Sequence, residues 1–408
     1  MEFKQKRLTN GLDIIGEVNM SAKSAAVGFF VRTGSRDEAP QINGVSHFLE
    51  HMLFKGTEKL NAFEVNKAFD GTGAQFNAFT SEENTVFYAA VLPEYVIEVT
   101  KLWIELMRPA LREEDFDIEK NVIKEEIAMY KDTPSFDVID RCRSLHFDSH
   151  PCGNSVLGSE KSIDSLTVEQ MGDYFASRYA PDNMVFACTG NFNWGQICST
   201  LEESCRAWQG HSAARKLEHF EGSKKKERIE KSNLTCEHIC LISPCVSFQD
   251  QNRFAAALLA VIVGDNVGSR FFWELIDKAL AEAATMQYSP MDGTGALYSY
   301  IRCSSKNVSK VLDIVQDIFH SLSEEGIIED ELQKAKNKVL SALVIKNELP
   351  MGRLIDLGFN WMYLKEYHTI EGDVESVKAV TVHEINSLIE QFNPVDFTQF
   401  SVGPAHNE

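Results

Sequence analysis

The 408-residue chain is 44% hydrophobic and 25% charged, and its formal net charge at pH 7 is −20. These values fit a folded globular protein of two to three domains, and the acidic excess argues against nucleic acid or an anionic membrane as the main partner. No apolar run reaches the roughly 18–20 residues of a membrane span, and the N-terminus has no apolar signal region, so we expect a cytoplasmic protein with no membrane span.

The first strongly predicted strand spans residues 25–31, and a segment with helical periodicity follows it. This segment contains His47-Phe48-Leu49-Glu50-His51. Side chains four residues apart share one face of a helix, so His47 and His51 can point at a single ion. Glu50 borders that face, where a carboxylate can take a proton from water. The order His-x-x-Glu-His is the inverzincin signature and predicts a zinc site that needs one more protein ligand.

A histidine pair at this spacing also occurs in helices that bind no metal, so the neighbouring residues matter. Four segments in chain order resemble the M16 metallopeptidases, the family of pitrilysin, insulin-degrading enzyme and mitochondrial processing peptidase. Residues 28–38 resemble the family's first long strand and turn, and residues 44–57 resemble its zinc helix. Residues 77–80 are similar to the edge strand that holds substrate, and residues 121–127 to the helix that supplies the third ligand. The resemblance covers most of residues 1–200 and is weaker afterwards.

The resemblance implies one zinc ion per chain, with His47, His51 and Glu126 as ligands. The adjacent Glu125 is the fallback for the third ligand, although a carboxylate at that position is also typical of a solvated helix surface. Glu119 lies two turns before Glu126 on the same helix face, where the family keeps a supporting carboxylate.

The resemblance also assigns the reacting and substrate-binding groups. Glu50 is the general base, and Glu119 belongs with it in the catalytic site. An extended peptide is expected to pair with the backbone of the edge strand, which is a largely sequence-independent mode of binding. The substrate-binding residues implied in this way are Asn77, Ala78, Phe79 and Thr80, although Phe79 fits a core position equally well.

An internal repeat predicts two homologous domains. Residues 162–168 reappear as residues 376–382, and in both copies a Thr is followed three residues later by Gln170 or Glu384, the signature of a helix N-terminus. Each half of the chain mixes alternating strands with amphipathic helices, such as 160–177 in the first half and 306–323 in the second. We therefore expect an α+β fold with antiparallel or mixed sheets, and the resemblance adds that the two domains form half of a clamshell chamber.

The charged segment between the two halves predicts a linker. The expected division is a zinc-binding catalytic domain at 1–212, a linker at 213–230 and a C-terminal domain without metal at 231–408.

Nine cysteines without disulfide-framework spacing predict reduced thiols. Cys236, Cys240 and Cys245, with His238 between them, could suggest a second metal site. Their spacing matches no zinc motif, however, and residues 239–242 favour a buried strand.

The C-terminal half departs from the family pattern. Active members carry an Arg and a Tyr seven residues apart that contact the substrate carbonyl, and here these positions hold Ile276 and Ala283. Neither side chain can donate a hydrogen bond. Arg270 matches a different family position, and Tyr288 lies five residues beyond Ala283. We therefore expect a heterodimer in which a related zinc-less chain supplies the Arg and Tyr; a homodimer that uses Tyr288 as a displaced donor is the alternative.

Together these features predict a zinc-dependent endopeptidase acting on peptides or unfolded polypeptides enclosed in a dimeric chamber. Three alternatives stay open: a homodimeric processing peptidase, a non-catalytic structural or assembly subunit, and a small-molecule metallohydrolase with the same zinc site.

Overall fold

The computed structural model describes residues 1–211, 213–215, 217 and 220–405, and these residues form a mixed α/β structure. The strands are β1 (Glu2–Arg7), β2 (Asp13–Val18), β3 (Ala25–Val31), β4 (Gln75–Thr80), β5 (Thr85–Val91), β6 (Met184–Gly190), β7 (Lys226–Glu230), β8 (Cys236–Cys245), β9 (Ala283–Pro290), β10 (Gly295–Ser304) and β11 (Thr398–Gly403). The helices are α1 (Val45–Phe54), α2 (Ala62–Thr72), α3 (Val96–Leu106), α4 (Glu113–Asp132), α5 (Pro134–Phe147), α6 (Glu160–Ser165), α7 (Val168–Arg178), α8 (Trp194–Ser204), α9 (Arg253–Gly264), α10 (Val308–Glu325), α11 (Glu329–Asn347), α12 (Pro350–Leu364), α13 (Ile370–Ala379) and α14 (Val382–Gln391).

The first sheet has six strands in the order β1-β2-β6-β3-β5-β4. Only β2 and β6 run parallel; the other neighbours are antiparallel. The central strand β3 is buried at all seven residues, because Phe29 faces one core and Phe30 faces another on the opposite side of the sheet. A strand covered on both faces reads as a continuous apolar run, which explains why 25–31 could be predicted.

The second sheet repeats this pattern with five strands in the order β7-β11-β8-β10-β9. Here β7 and β11 run parallel, as β2 and β6 do in the first sheet, and the other pairs are antiparallel. The predicted α+β class with two homologous domains and mixed sheets is confirmed.

The repeat that predicted this duplication lies at matching places in the two halves. Thr167 caps α7 by accepting from the N–H of Gln170, and Thr381 caps α14 by accepting from the N–H of Glu384. The single helix expected over 160–177 was wrong, because α6 ends at Ser165 and Thr167 starts a new helix.

The described residues group into two compact units that do not follow chain order. The first comprises Met1–Ala128, Asn154–Arg215 and Val344–His368, and the second comprises Met129–Gly153, Lys216–Leu343 and Thr369–Glu408. Each unit therefore takes a helix from the other half of the sequence: α12 packs on the first sheet, and α5 packs on the second. The expected division into a domain at 1–212, a linker at 213–230 and a domain at 231–408 remains a prediction.

One part of the predicted linker is not a linker, because residues 226–230 form the edge strand β7 beside β11. Residues 212, 216, 218 and 219 of this boundary lie outside the described residues.

Helix α12 covers one face of the first sheet. Leu354, Leu357 and Met362 pack there against a cluster that includes Phe30. Arg353 adds a buried ion pair with Glu17 of β2, with Nη2 2.7 Å from Oε2. The first sheet is thus closed by residues that are distant in sequence.

Across the described part of the chain, none of the helices is long and apolar enough to cross a bilayer. No disulfide bond joins cysteines within the described ranges, in agreement with the expectation of thiols.

Candidate metal centre

Helix α1 is held at its N-terminus by a buried carboxylate. Glu38 accepts hydrogen bonds from the backbone N–H of Gly44 at 2.7 Å and of Ser46 at 2.8 Å. These groups have no partner within the helix, so an acceptor there stabilises the first turn. The apolar residues of α1 point into the core of the first unit, which turns the two histidines toward α4. The apolar residues of α1 in this core are Val45, Phe48, Leu49, Met52 and Leu53.

His47, His51 and Glu126 form the one group of three or more metal-binding side chains found among the described residues. One donor atom from each lies within 4.8 Å of the others. His47 Nε2 is 3.8 Å from one Glu126 oxygen, and His51 Nε2 is 3.6 Å from the other. A tetrahedral zinc ion with bonds of about 2.0–2.2 Å places its ligands roughly 3.3–3.6 Å apart. The 3.6 Å distance lies in this range and the 3.8 Å distance slightly above it, and two imidazoles with one carboxylate form a ligand set that catalytic zinc sites use.

Glu119 holds one of these imidazoles. Its Oε1 is 2.7 Å from His51 Nδ1, and its Oε2 forms an ion pair with Lys55. A carboxylate that accepts from Nδ1–H fixes the ring and leaves the Nε2 lone pair facing the metal position. Glu119 therefore contacts the His51 ring on the nitrogen that does not face Glu126.

Lys55 was missed by the sequence analysis, although it lies in the segment that resembles the zinc helix. It follows His51 by four residues, so both side chains lie on the same face of the helix end. That spacing was the available signal.

Burial and the Glu119 carboxylate together set the protonation of the centre when no ion is bound. Burial, and then the neighbouring His51, lowers the pKa of His47 to about 3, so its imidazole is neutral and can bind a metal. Burial would also lower the pKa of His51, but the hydrogen bond and charge of Glu119 outweigh it and raise the pKa. Burial raises the pKa of Glu126 above its usual range.

Glu50 borders this centre and is 8% exposed. Its Oε2 accepts a hydrogen bond of 2.5 Å from the hydroxyl of Thr80. Burial raises the pKa of the Glu50 carboxyl, while the Thr80 hydrogen bond opposes the rise. A carboxyl with a raised pKa is suited to exchanging protons near neutral pH.

Strand β4 carries the four predicted substrate-binding residues on the edge of the first sheet, where it pairs with β5. Asn77 is exposed, and Ala78 is buried in the core that also contains α1. Phe79 lies on the other face, with its ring 6.4 Å from that of Phe359, so its side chain contributes to packing. Thr80 faces Glu50.

The two alternative ligand sets are not assembled. Glu125 is exposed and lies outside the group formed by Glu126. Cys236, Cys240 and Cys245 lie on strand β8, and within the described residues they join no metal-binding group. His238 contacts the Tyr300 hydroxyl at 2.8 Å.

The second unit presents no donor at the two family positions. Ile276 ends a short π-helical turn and packs against the core of that unit, and Ala283 begins β9. Tyr288 lies on β9, and its hydroxyl donates to the carbonyl of Val246 at 2.9 Å. Arg270 forms an ion pair with Glu331 at 2.8 Å.

Comparisons with known proteins show the family of this chain. The family model "Insulinase (Peptidase family M16)" matches residues 14–160, and "Peptidase M16 inactive domain" matches residues 165–339. The Bacillus subtilis (strain 168) protein named "Uncharacterized zinc protease YmxG" is 30% identical over 411 residues, covering 99% of each chain.

Two solved structures share the fold. The Pseudomonas fluorescens peptidase M16 inactive domain has a TM-score of 0.92 at 19% identity and covers 100% of this chain and 99% of its own. A protease from Helicobacter pylori has a TM-score of 0.90 at 19% identity and covers 99% of this chain and 100% of its own.

Proposed function

This chain belongs to the M16 peptidase family, and from that premise we propose that it is a zinc-dependent endopeptidase of the His-x-x-Glu-His type. The observation that carries the proposal is the convergence of His47, His51 and Glu126 beside the buried carboxylate of Glu50. The names of relatives, among them a B. subtilis zinc protease, support the same activity.

The residues divide the work of peptide hydrolysis. His47, His51 and Glu126 would hold one zinc ion, which when bound would supply Lewis-acid activation of water and of the scissile carbonyl. Glu50 takes a proton from the attacking water and passes it to the leaving amine. Glu119 accepts the Nδ1 proton of His51 and keeps its ring oriented.

The substrate is an extended peptide or a segment of unfolded polypeptide. An edge strand offers unpaired backbone groups that such a segment can pair with, and β4 is an edge strand next to α1. Asn77 and Ala78 contribute backbone groups to this pairing. This mode of binding favours a peptidase over a small-molecule metallohydrolase, because it recognises backbone.

The proposed active form is a heterodimer in which a related zinc-less chain supplies an Arg and a Tyr. The aliphatic side chains of Ile276 and Ala283 support a need for such donors. The homodimer that uses Tyr288 is less well supported, since that hydroxyl already donates to the Val246 carbonyl. A non-catalytic assembly role would not require an intact set of metal ligands.

Native mass spectrometry of the complex purified from its own cells tests this proposal, because it gives zinc content and partner mass together. We expect one zinc per chain and a second, related chain. Cleavage of an unfolded polypeptide should stop with a chelator and return with zinc, and an unlabelled peptide should compete. A zinc-free chain, or zinc-loaded complex without peptidase activity, would contradict the proposal. Full activity of the chain purified without a partner would contradict the proposal that the active form is a heterodimer.

A further inference from the structure

We propose that Thr80 is a positioning residue for the base Glu50 and not a contact for the substrate. The inference rests on the proposed function of Glu50. It changes the role that the sequence analysis gave to Thr80, which was grouped with the substrate-binding residues of β4.

The contact itself is short and sheltered. The Thr80 hydroxyl lies 2.5 Å from Glu50 Oε2, and the two residues are thirty positions apart in sequence. The Glu50 side chain is buried, so a lost partner there is not replaced freely by bulk water. Hydrogen bonds to a carboxylate are among the stronger ones in proteins, and a buried one fixes orientation as well.

The proton of Thr80 is committed to Glu50. The one other hydroxyl partner of Thr80 among the described residues is Thr85 Oγ1, at 3.5 Å. Thr85 donates its own proton to the carbonyl of Thr33 at 3.0 Å, so it does not donate to Thr80. Because the carboxylate of Glu50 is 1.0 Å closer than Thr85 Oγ1, the Thr80 hydroxyl donates its proton to Glu50.

The backbone around Thr80 is held in place. Thr80 ends β4 and pairs with Thr85, and the hairpin between them is closed by Ser81, whose N–H donates to the Asn84 carbonyl at 2.8 Å. Ala78, two residues before Thr80 on the same face of the strand, is buried in the core with α1. Both ends of the Thr80–Glu50 contact are therefore anchored.

The hydroxyl occupies Oε2, so in the proposed mechanism Oε1 is the oxygen left to accept a proton from the attacking water. The base is thus hydrogen-bonded to the strand on which the proposed substrate pairs. Strand β4 therefore fixes both the orientation of Glu50 and the position of the scissile bond. Loss of the hydroxyl should slow the chemical step without weakening the pairing of peptide backbone to β4.

Steady-state kinetics of Thr80→Val and Thr80→Ser in the zinc-loaded complex test this separation. We expect kcat of Thr80→Val to fall by about tenfold or more, with KM and zinc content unchanged, because only part of the general-base contribution is lost. Thr80→Ser keeps the hydroxyl and should retain most of kcat. Thr9→Val, an exposed threonine in the turn after β1, is the matched control and should behave as wild type. A raised KM with unchanged kcat would overturn the proposal.

A binding measurement gives a second readout that needs no turnover. Calorimetric titration compares a peptide hydroxamate, which engages both zinc and the base, with the same peptide as an amide. Thr80→Val should weaken the hydroxamate and leave the amide unchanged, and equal weakening of both would assign Thr80 to substrate binding.

If wild type binds neither ligand, the proposed function fails. Even then, a double-mutant cycle of Thr80→Val with Glu50→Ala on chemical unfolding decides whether the two side chains interact, and zero coupling would overturn the inference.

Discussion

Glu119 Oε1 lies 2.7 Å from His51 Nδ1, so a carboxylate two turns before Glu126 orients an imidazole on another helix. Replacing Glu119 by Gln removes the charge that stabilises this arrangement. We expect zinc affinity to fall by about 10- to 100-fold while the fold is kept. Competition with a calibrated chelator measures the change, and Glu125→Gln, an exposed position on the same helix, is the control. Wild-type affinity in the Glu119 variant would exclude this role.

Glu126→Gln tests the third ligand. A neutral amide is a poor substitute for a carboxylate at zinc, so we expect the purified variant to contain little metal. Metal quantification beside Glu125→Gln makes the comparison at two neighbouring residues of the same type. If the zinc were lost from Glu125→Gln and kept in Glu126→Gln, the ligand assignment would be reversed.

Glu50→Gln separates the base from the ligands. The amide cannot accept the proton, so peptide cleavage should fall by at least about 100-fold, whereas zinc content should stay at the wild-type value. Activity and metal content are measured on one preparation. A metal-free Glu50→Gln protein would show that Glu50 supports the metal and would remove its assignment as base.

Because His146 is buried with a lowered pKa, we expect the free energy of unfolding to fall in mild acid. His146 is 1% exposed in the second unit, contacts Thr398 Oγ1 at 3.1 Å, and burial lowers its pKa to about 4. In the unfolded chain a His titrates near about 6.5, so as the pH falls below that value the unfolded state takes up a proton that the native state refuses. The stabilisation present above pH 6.5 is therefore lost toward pH 4.

Between pH 7.5 and 5 this linkage corresponds to about 2 kcal/mol of unfolding free energy. Urea unfolding of wild type and His146→Gln at both pH values measures it as a difference of differences. Equal pH dependence in the two proteins would show that His146 does not contribute.

Arg353→Met should destabilise the first unit. The change leaves Glu17 as a buried charge without its cation, and breaking such pairs costs about 3–5 kcal/mol. Adding Glu17→Met to the same chain should recover much of the loss, because two apolar side chains need no pairing. Thermal unfolding of the three proteins tests this, and an Arg353→Met variant as stable as wild type would contradict it.

The parts of this protein that sequence could predict are those with local causes. Helix α1 follows from the spacing of its apolar residues and histidines, and Thr167 and Thr381 mark helix starts through contacts three residues away. Strand β7 was taken for linker because its exposed, charged residues lack alternation, as is typical of protected edge strands.

The parts that sequence could not predict depend on distant contacts. The pairing of Thr80 with Glu50 spans a strand and a helix, and no local pattern specifies it. The amphipathic pattern of α12 shows that one face is buried, but it does not say which sheet that face covers.

The packing of α12 on the first sheet has a consequence for how the chain is made. When residues 1–215 have left the ribosome, His47, His51 and Glu126 are all present, yet Ile15, Ala26 and Phe30 still lack the helix that covers them. The first sheet is covered on this face only after residue 364, the end of α12, has emerged. A gene fragment that ends near residue 215 would therefore yield an incomplete domain with an exposed apolar face that is prone to aggregation. Any design that shortens or splits this protein must retain α12.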